Sequence, residues 1–232
     1  RMKSTMIIYH GSPGIIEKPE VGAGNPRNDY GLGFYCTEES ELAKEWACVK
    51  GKGGVANRYS LNMDGLKVMH LSGSEYHILN WLSILLNNRI FSITSDIAAQ
   101  SKEYLTQEFM PSYEQYDIIK GYRADDSYFA FAGAFLNNTI SLEQLAVAMR
   151  LGKLGEQIVL RSKKAFNQIA YWGNDPAEDM IYYPKRVARD NAAREAFRQE
   201  RKIARASDAV YMLDILREER KNDDSRLFRN LS

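Results

Sequence analysis

Tyr9-His10-Gly11-Ser12 and Gly33-Phe34-Tyr35-Cys36-Thr37 decide how this chain is read. Each ends an apolar run, Met6-Ile7-Ile8 in the first case and Leu32 to Phe34 in the second. Short apolar runs punctuated by glycine predict buried strands. Each strand end then sets a functional-looking side chain near a small residue: His10 beside Gly11, and Tyr35 two residues after Gly33. A His and a Tyr offered this way, with backbone left bare by glycine, suit a flat heteroaromatic ligand. Taken singly, each stretch has a plainer reading. Y-H-G-S alone is a strand running into a turn, and G-F-Y alone is core.

Between the two strands lies a stretch rich in Gly, Pro and Asn (Gly11, Pro13, Gly14, Pro19, Gly22, Gly24, Pro26) that predicts a loop. A loop this long inside a compact domain is functional or mobile. Thr37 is expected to cap a helix with Glu38, Glu39 and Glu41 in its first turn, running through Ala47. Partial alternation from Val55 to Met63 (Val55, Asn57, Tyr59, Leu61, Met63) predicts a half-buried strand, with Lys67 to Leu71 as another. Helices follow over 74–88 and 95–109, then a strand over 116–120 that enters Gly121-Tyr122-Arg123-Ala124-Asp125-Asp126. Tyr128, Phe129, Phe131 and Phe135 mark a core helix, and Ser141 caps the next. Gln157 to Arg161 is a strand, Ser162 starts a short helix, and 169–172 is a final strand.

The chain has 232 residues, enough to bury a core without staples. Its net charge of +1 points to neither nucleic acid nor membrane. Cys36 and Cys48, the two cysteines, have apolar neighbours and read as buried free thiols in a reducing compartment. The apolar run around Trp81 to Leu86 is too short to span a bilayer, and no signal-peptide core opens the chain, so a cytoplasmic location is expected. There is no phosphate loop, H-E-x-x-H or nucleophile elbow. His70 and His77 sit among apolar residues and read as structural. No acidic cluster accompanies any His, so no metal site is expected.

From Lys185 onward the composition changes: 13 Lys/Arg against 9 Asp/Glu, with small and apolar residues recurring near every seventh position. One long helix or two, broken near Ser207-Asp208, is expected. The chain is therefore divided into residues 1–184 and a charged helical extension, 185–232. That extension reads as a solvated packing appendage, with target recognition or an inhibitory partner protein as the functional alternatives. Its interleaved acids blunt any nucleic-acid footprint.

Four separated segments then carry a resemblance. They are Tyr9-His10-Gly11-Ser12; Asp29 to Thr37 with the Ala43-Lys44-Glu45-Trp46-Ala47 helix; Gly121 to Asp126; and Gln157-Ile158-Val159-Leu160. In that order they resemble the ADP-ribosyltransferase superfamily, in its diphtheria-toxin and poly-ADP-ribose-polymerase branch with a His-Tyr-acid (or Gln) signature. More narrowly, they resemble a little-characterised bacterial family within it. The resemblance covers roughly residues 6 to 172 and leaves out the helical C-terminus. It implies an α+β fold: a split β-sandwich of two small, mostly antiparallel sheets around an NAD cleft, with surrounding helices.

The resemblance also implies roles. His10 would bind the adenosine-ribose hydroxyls of NAD, the Gly11 backbone would grip the nicotinamide carboxamide, and Tyr35 would stack on the nicotinamide ring. Ser12, Asp29, Gly33 and Asp126 fall in the same NAD-binding segments. Asp29 is also read as a loop brace. Asp125 and Asp126 are read either as carboxylates behind the site or facing an acceptor, or as a solvated helix start. At the third signature position, where many members use Glu, Gln157 aligns and Glu156 is adjacent. Strand neighbours face opposite ways, so only one enters the cleft, and Gln157 is preferred.

The expected activity is mono-ADP-ribosylation of a macromolecular acceptor, protein or nucleic acid, by a bacterial toxin or defence effector. The alternatives are an NAD glycohydrolase and a non-catalytic NAD- or nucleic-acid-binding module.

Overall fold

The computed structural model of the chain describes residues 4–124, 126–150, 155–203 and 207–228. Strand β1 (Thr5–Ser12) outruns the apolar stretch that predicts it because its partner continues alongside. That partner is β3 (Gly54–Asn62), antiparallel, with Ile8 opposite Tyr59 and His10 opposite Asn57. The outer edge of β3 carries β7 (Ile169–Ala177), also antiparallel, giving the order β1-β3-β7. Beside this sheet stands a four-stranded one, β2-β6-β5-β4. It is built from β2 (Phe34–Cys36), β4 (Val68–His70), β5 (Ile118–Tyr122) and β6 (Glu156–Leu160). Its pairs are antiparallel except β4 with β5. The chain is thus α+β with two small, mostly antiparallel sheets.

One apolar cluster joins the sheets. Ile8, Tyr59 and Leu61 come from the first, and Phe34, Cys36, Ile118, Ile158 and Leu160 from the second. Ala165 of helix α6 (Lys163–Asn167) completes it. The two-residue period of strands then puts Tyr35 and Gln157 together on the other face of the second sheet. The sheets also meet along one backbone bridge, where Tyr9 and Thr37 exchange hydrogen bonds of 2.8 and 2.9 Å.

That bridge occupies Thr37, so the helix expected to be capped there begins later. Helix α1 (Ser40–Ala47) has Glu39 as its N-cap residue, and Thr37 Oγ1 accepts from the Glu39 amide at 3.1 Å. Cys36 and Cys48 are buried free thiols. Burial raises the pKa of both, that of Cys36 well above its ordinary value.

The chain falls into two compact units. The first holds Arg1–His70, Tyr113–Arg123 and Leu154–Arg189, and with them strands β1 to β7. The second holds Leu71–Ser112, Ala124–Lys153 and Asp190–Ser232. In the second unit lie α2 (Ile78–Asn88), α3 (Asp96–Glu108), α4 (Asp126–Leu136), α5 (Leu142–Ala148), α8 (Met212–Arg217) and a 3-10 turn (Ser225–Leu227). Ser95 and Ser141 accept from the amides three residues on, as N-caps do.

Helix α7 (Asp179–Glu200) starts before the composition change at Lys185 and crosses from one unit to the other. Its second half and the segments after it group with the inserted helices. The reason is apolar packing: Phe197 lies 4.0 Å, centroid to centroid, from Phe131, and Val210 O accepts from Leu142 N at 2.7 Å. Val210, Met212 and Ile215 are buried. Among the described residues no helix is long and apolar enough to cross a membrane.

Candidate functional site

His10 is placed by register. It shares a face of β1 with Ile8, and its ring stacks on Phe34 at 4.3 Å between centroids. Its Nδ1 lies 2.6 Å from Tyr35 O. A carbonyl can only accept, so Nδ1 carries the proton and donates. Burial pushes the His10 pKa below its ordinary value, with the Tyr35 carbonyl opposing in part. The ring is therefore neutral at pH 7, and Nε2 holds a lone pair with no partner among the described residues. His10 Nε2 is thus a hydrogen-bond acceptor.

Tyr35 is half-buried on β2, and its hydroxyl is already occupied. It donates to Gly31 O at 2.6 Å and accepts from Tyr30 N at 3.1 Å. Gly31 has φ +74°, the left-handed backbone of the turn in which Gly31 N donates to Asn28 O at 3.0 Å. The Tyr35 hydroxyl thus staples the end of the long loop to the strand. Tyr30, buried beside it, donates its own hydroxyl to Tyr122 O at 2.5 Å.

Gln157 and Asp29 meet within the first unit. Gln157 Nε2 donates to Asp29 Oδ2 at 3.3 Å, and the two residues are 6% and 3% exposed. Gln157 Oε1 is buried and has no partner among the described residues. Glu156 turns the other way, as strand alternation requires. It lies 3.2 Å from His70 Nε2 and 3.3 Å from Lys120 Nζ, and Lys120 also reaches Glu38 at 2.8 Å. His70 is exposed in this cluster, not buried as its apolar sequence neighbours suggest. His77 is buried in the second unit.

The structure therefore brings together His10 with Tyr35, and Asp29 with Gln157, the loop end Asp29 to Gly31 bridging to Tyr35. Other predicted positions have packing reasons of their own. A Cβ on Gly11 would lie 2.0 Å from Ala43 O of α1, and one on Gly33 would lie 2.4 Å from Val159 Cγ1 of β6. Bare backbone at both is required by the neighbouring chain. The Ser12 hydroxyl donates to Gly14 O and accepts from Asn57 Nδ2. Asp125 lies outside the described residues. Asp126 begins α4 in the second unit, with its side chain outside the description.

Asn57 escapes sequence reasoning. It is fully buried; its Nδ2 donates to Ser12 Oγ at 2.8 Å and His10 O at 3.2 Å, and its Oδ1 accepts from Ile16 N at 2.9 Å. It fixes where the loop leaves β1. An Asn inside the alternating stripe of Val55, Tyr59 and Leu61 was the available signal. In the second unit a cavity of about 260 Å³, lined by Phe91, Ile93, Phe129, Leu136 and Asn137 among others, includes none of the predicted site residues. Among the described residues no group of His, Cys, Asp and Glu could hold a metal ion.

No curated protein and no solved structure matches the chain. A family model described as "Protein of unknown function (DUF3990)" matches residues 6–171. That span takes in β1 from its second residue, β2 through β6 and the start of β7, and so includes His10, Asp29, Tyr35 and Gln157. The chain belongs to this family, DUF3990.

Proposed function

We propose that this protein cleaves NAD at the nicotinamide–ribose bond and passes ADP-ribose to a macromolecular acceptor, protein or nucleic acid. The observation that carries this reading is the coupling of His10 to Tyr35 through one 2.6 Å hydrogen bond. It holds a neutral imidazole against the backbone carbonyl of the residue whose ring is half-buried on β2. An acceptor suits a ribose hydroxyl, and a ring whose own hydroxyl is already satisfied suits stacking on nicotinamide. The resemblance implies a split β-sandwich, whose NAD cleft would be bounded by the face of the second sheet that carries Tyr35 and Gln157.

The reaction needs little from the protein beyond orientation. Nicotinamide in NAD is a cationic leaving group and departs neutral, taking the bonding pair. The ribosyl carbon becomes cation-like and bonds to the acceptor, which releases a proton. No strong general acid is required, which agrees with a site built on one neutral histidine. Orientation of the C1′–N bond and differential stabilisation of the cation-like state supply the rate. A neutral Gln157 gives that state less help than a Glu would, so turnover is expected to be slow and polymer formation absent. A role as a bacterial toxin or defence effector follows from the same resemblance.

Incubation with NAD labelled in its adenosine half, in the presence of cell protein and RNA, tests the proposal. Label on protein or RNA is the expected outcome. Free ADP-ribose alone would make the enzyme a glycohydrolase. Neither product would leave a binding module, a reading favoured by the neutral amide of Gln157.

A further inference from the structure

Among the described residues, Gln157 is the predicted site residue with a buried side-chain atom left over. Its amide nitrogen donates to Asp29 Oδ2, while its Oε1 is buried and unpartnered among the described residues. Buried polar atoms without partners are rare and call for an explanation. A carboxylate offers only lone pairs, so it accepts from an amide NH2 and repels an amide oxygen. Turning the Gln157 amide over would set Oε1 against Asp29 Oδ2 and lose the hydrogen bond. Asp29 therefore decides which end of the amide is left for a ligand.

We infer that Asp29 is a positioning residue: it locks the Gln157 amide so that Oε1 is presented, and the site selects a ligand hydroxyl as donor at that point. The inference rests on the NAD reading above for the identity of the ligand, where the donor is the 2′-hydroxyl of the nicotinamide ribose. A ligand that reaches Oε1 displaces what covers it and supplies the missing hydrogen bond. Asp29 also brings a carboxyl group to within 3.3 Å of the Gln157 amide nitrogen.

Two measurements on the full chain test this. In 15N-labelled protein, the Gln157 side-chain amide signals are assigned by their loss in Gln157→Glu. Without ligand, their protons should exchange with water at least about tenfold more slowly in wild type than in Asp29→Asn. Calorimetry should then find NAD bound about tenfold more tightly than its 2′-fluoro analogue by wild type, since fluorine cannot donate. Asp29→Asn, folded by its melting curve, should reduce that preference to about twofold or less, because its amide no longer dictates the orientation. Asp29→Glu, which restores a carboxylate, should recover part of it. A preference unchanged in Asp29→Asn, or absent in a wild type that binds NAD, overturns the inference while leaving the proposed function in place. If wild type binds neither dinucleotide, the proposed function falls, and the positioning role stands or falls on the exchange rates: equal rates in wild type and Asp29→Asn overturn it.

Discussion

Tyr35 does two jobs that separate at its hydroxyl. The oxygen holds Gly31 O and Tyr30 N and so fixes the loop end, while the ring is what the proposed function assigns to stacking on nicotinamide. Tyr35→Phe should therefore lower stability by about 1–2 kcal/mol, the cost of a part-buried hydrogen-bonding group, read as a lower melting temperature. Its nicotinamide release should stay within about tenfold of wild type, whereas Tyr35→Ala should abolish it. A folded Tyr35→Phe as inactive as Tyr35→Ala would place the essential group at the oxygen. His10 and Tyr35 were legible in sequence because glycine and apolar neighbours framed them. Gly11 and Gly33 were legible as well, but the close approach of α1 and β6 that requires them was not. The Asp29–Gln157 contact spans 128 residues of sequence, and only the folding of the loop end onto β6 makes it.

At the scale of elements, α1 is held from two sides. Gly11 lets it lie directly on β1, and Glu45 on its buried side grips Arg189 of α7. Arg189 Nε and Nη2 each donate to Glu45 at 2.9 Å, a two-pronged pair in which the Glu45 side chain is 4% exposed. Removing the cation leaves a buried carboxylate with one partner fewer, and breaking such a pair costs more than replacing it whole. Arg189→Met should destabilise the protein by about 3 kcal/mol, measured by chemical denaturation. Arg189→Met with Glu45→Met should recover most of that, and a double variant no more stable than the single would contradict this account. Most elements followed from local signals, such as the Ser95 and Ser141 caps and the alternation of β3. The start of α1 did not, because Thr37 is recruited by Tyr9 across the sheet junction. The start of α7 before Lys185 was equally hidden: Pro184 and the exposed Met180 and Ile181 gave no periodic apolar face.

For the whole molecule, stability should depend on pH through a residue outside the proposed site. His77, 1% exposed and ringed by Phe109 and Phe228, is pushed down by burial to a pKa of about 4; hydrogen bonds with Asn222 and the charge of Asp224 oppose the shift. The unfolded chain binds this proton from about pH 6.5 down, the folded chain only near 4. The stability gained by keeping His77 neutral is therefore complete above pH 6.5 and is lost as pH falls toward 4, by about 3 kcal/mol in total. His77→Gln, which keeps a donor but cannot titrate, should lose less stability over that range, and parallel pH dependences would contradict this. Sequence did not foretell that residues 71–112 and 124–153 gather with the tail into a second unit, because that grouping rests on long-range contacts such as Phe131 with Phe197. The central claim concerns the first unit: His10 and Tyr35 hold NAD for cleavage. Nicotinamide released from NAD by the purified full chain, compared with folded His10→Ala and Tyr35→Ala, tests it most directly. Steady release by wild type and none above background from either variant is predicted; no release by wild type, or full release by either variant, would contradict it.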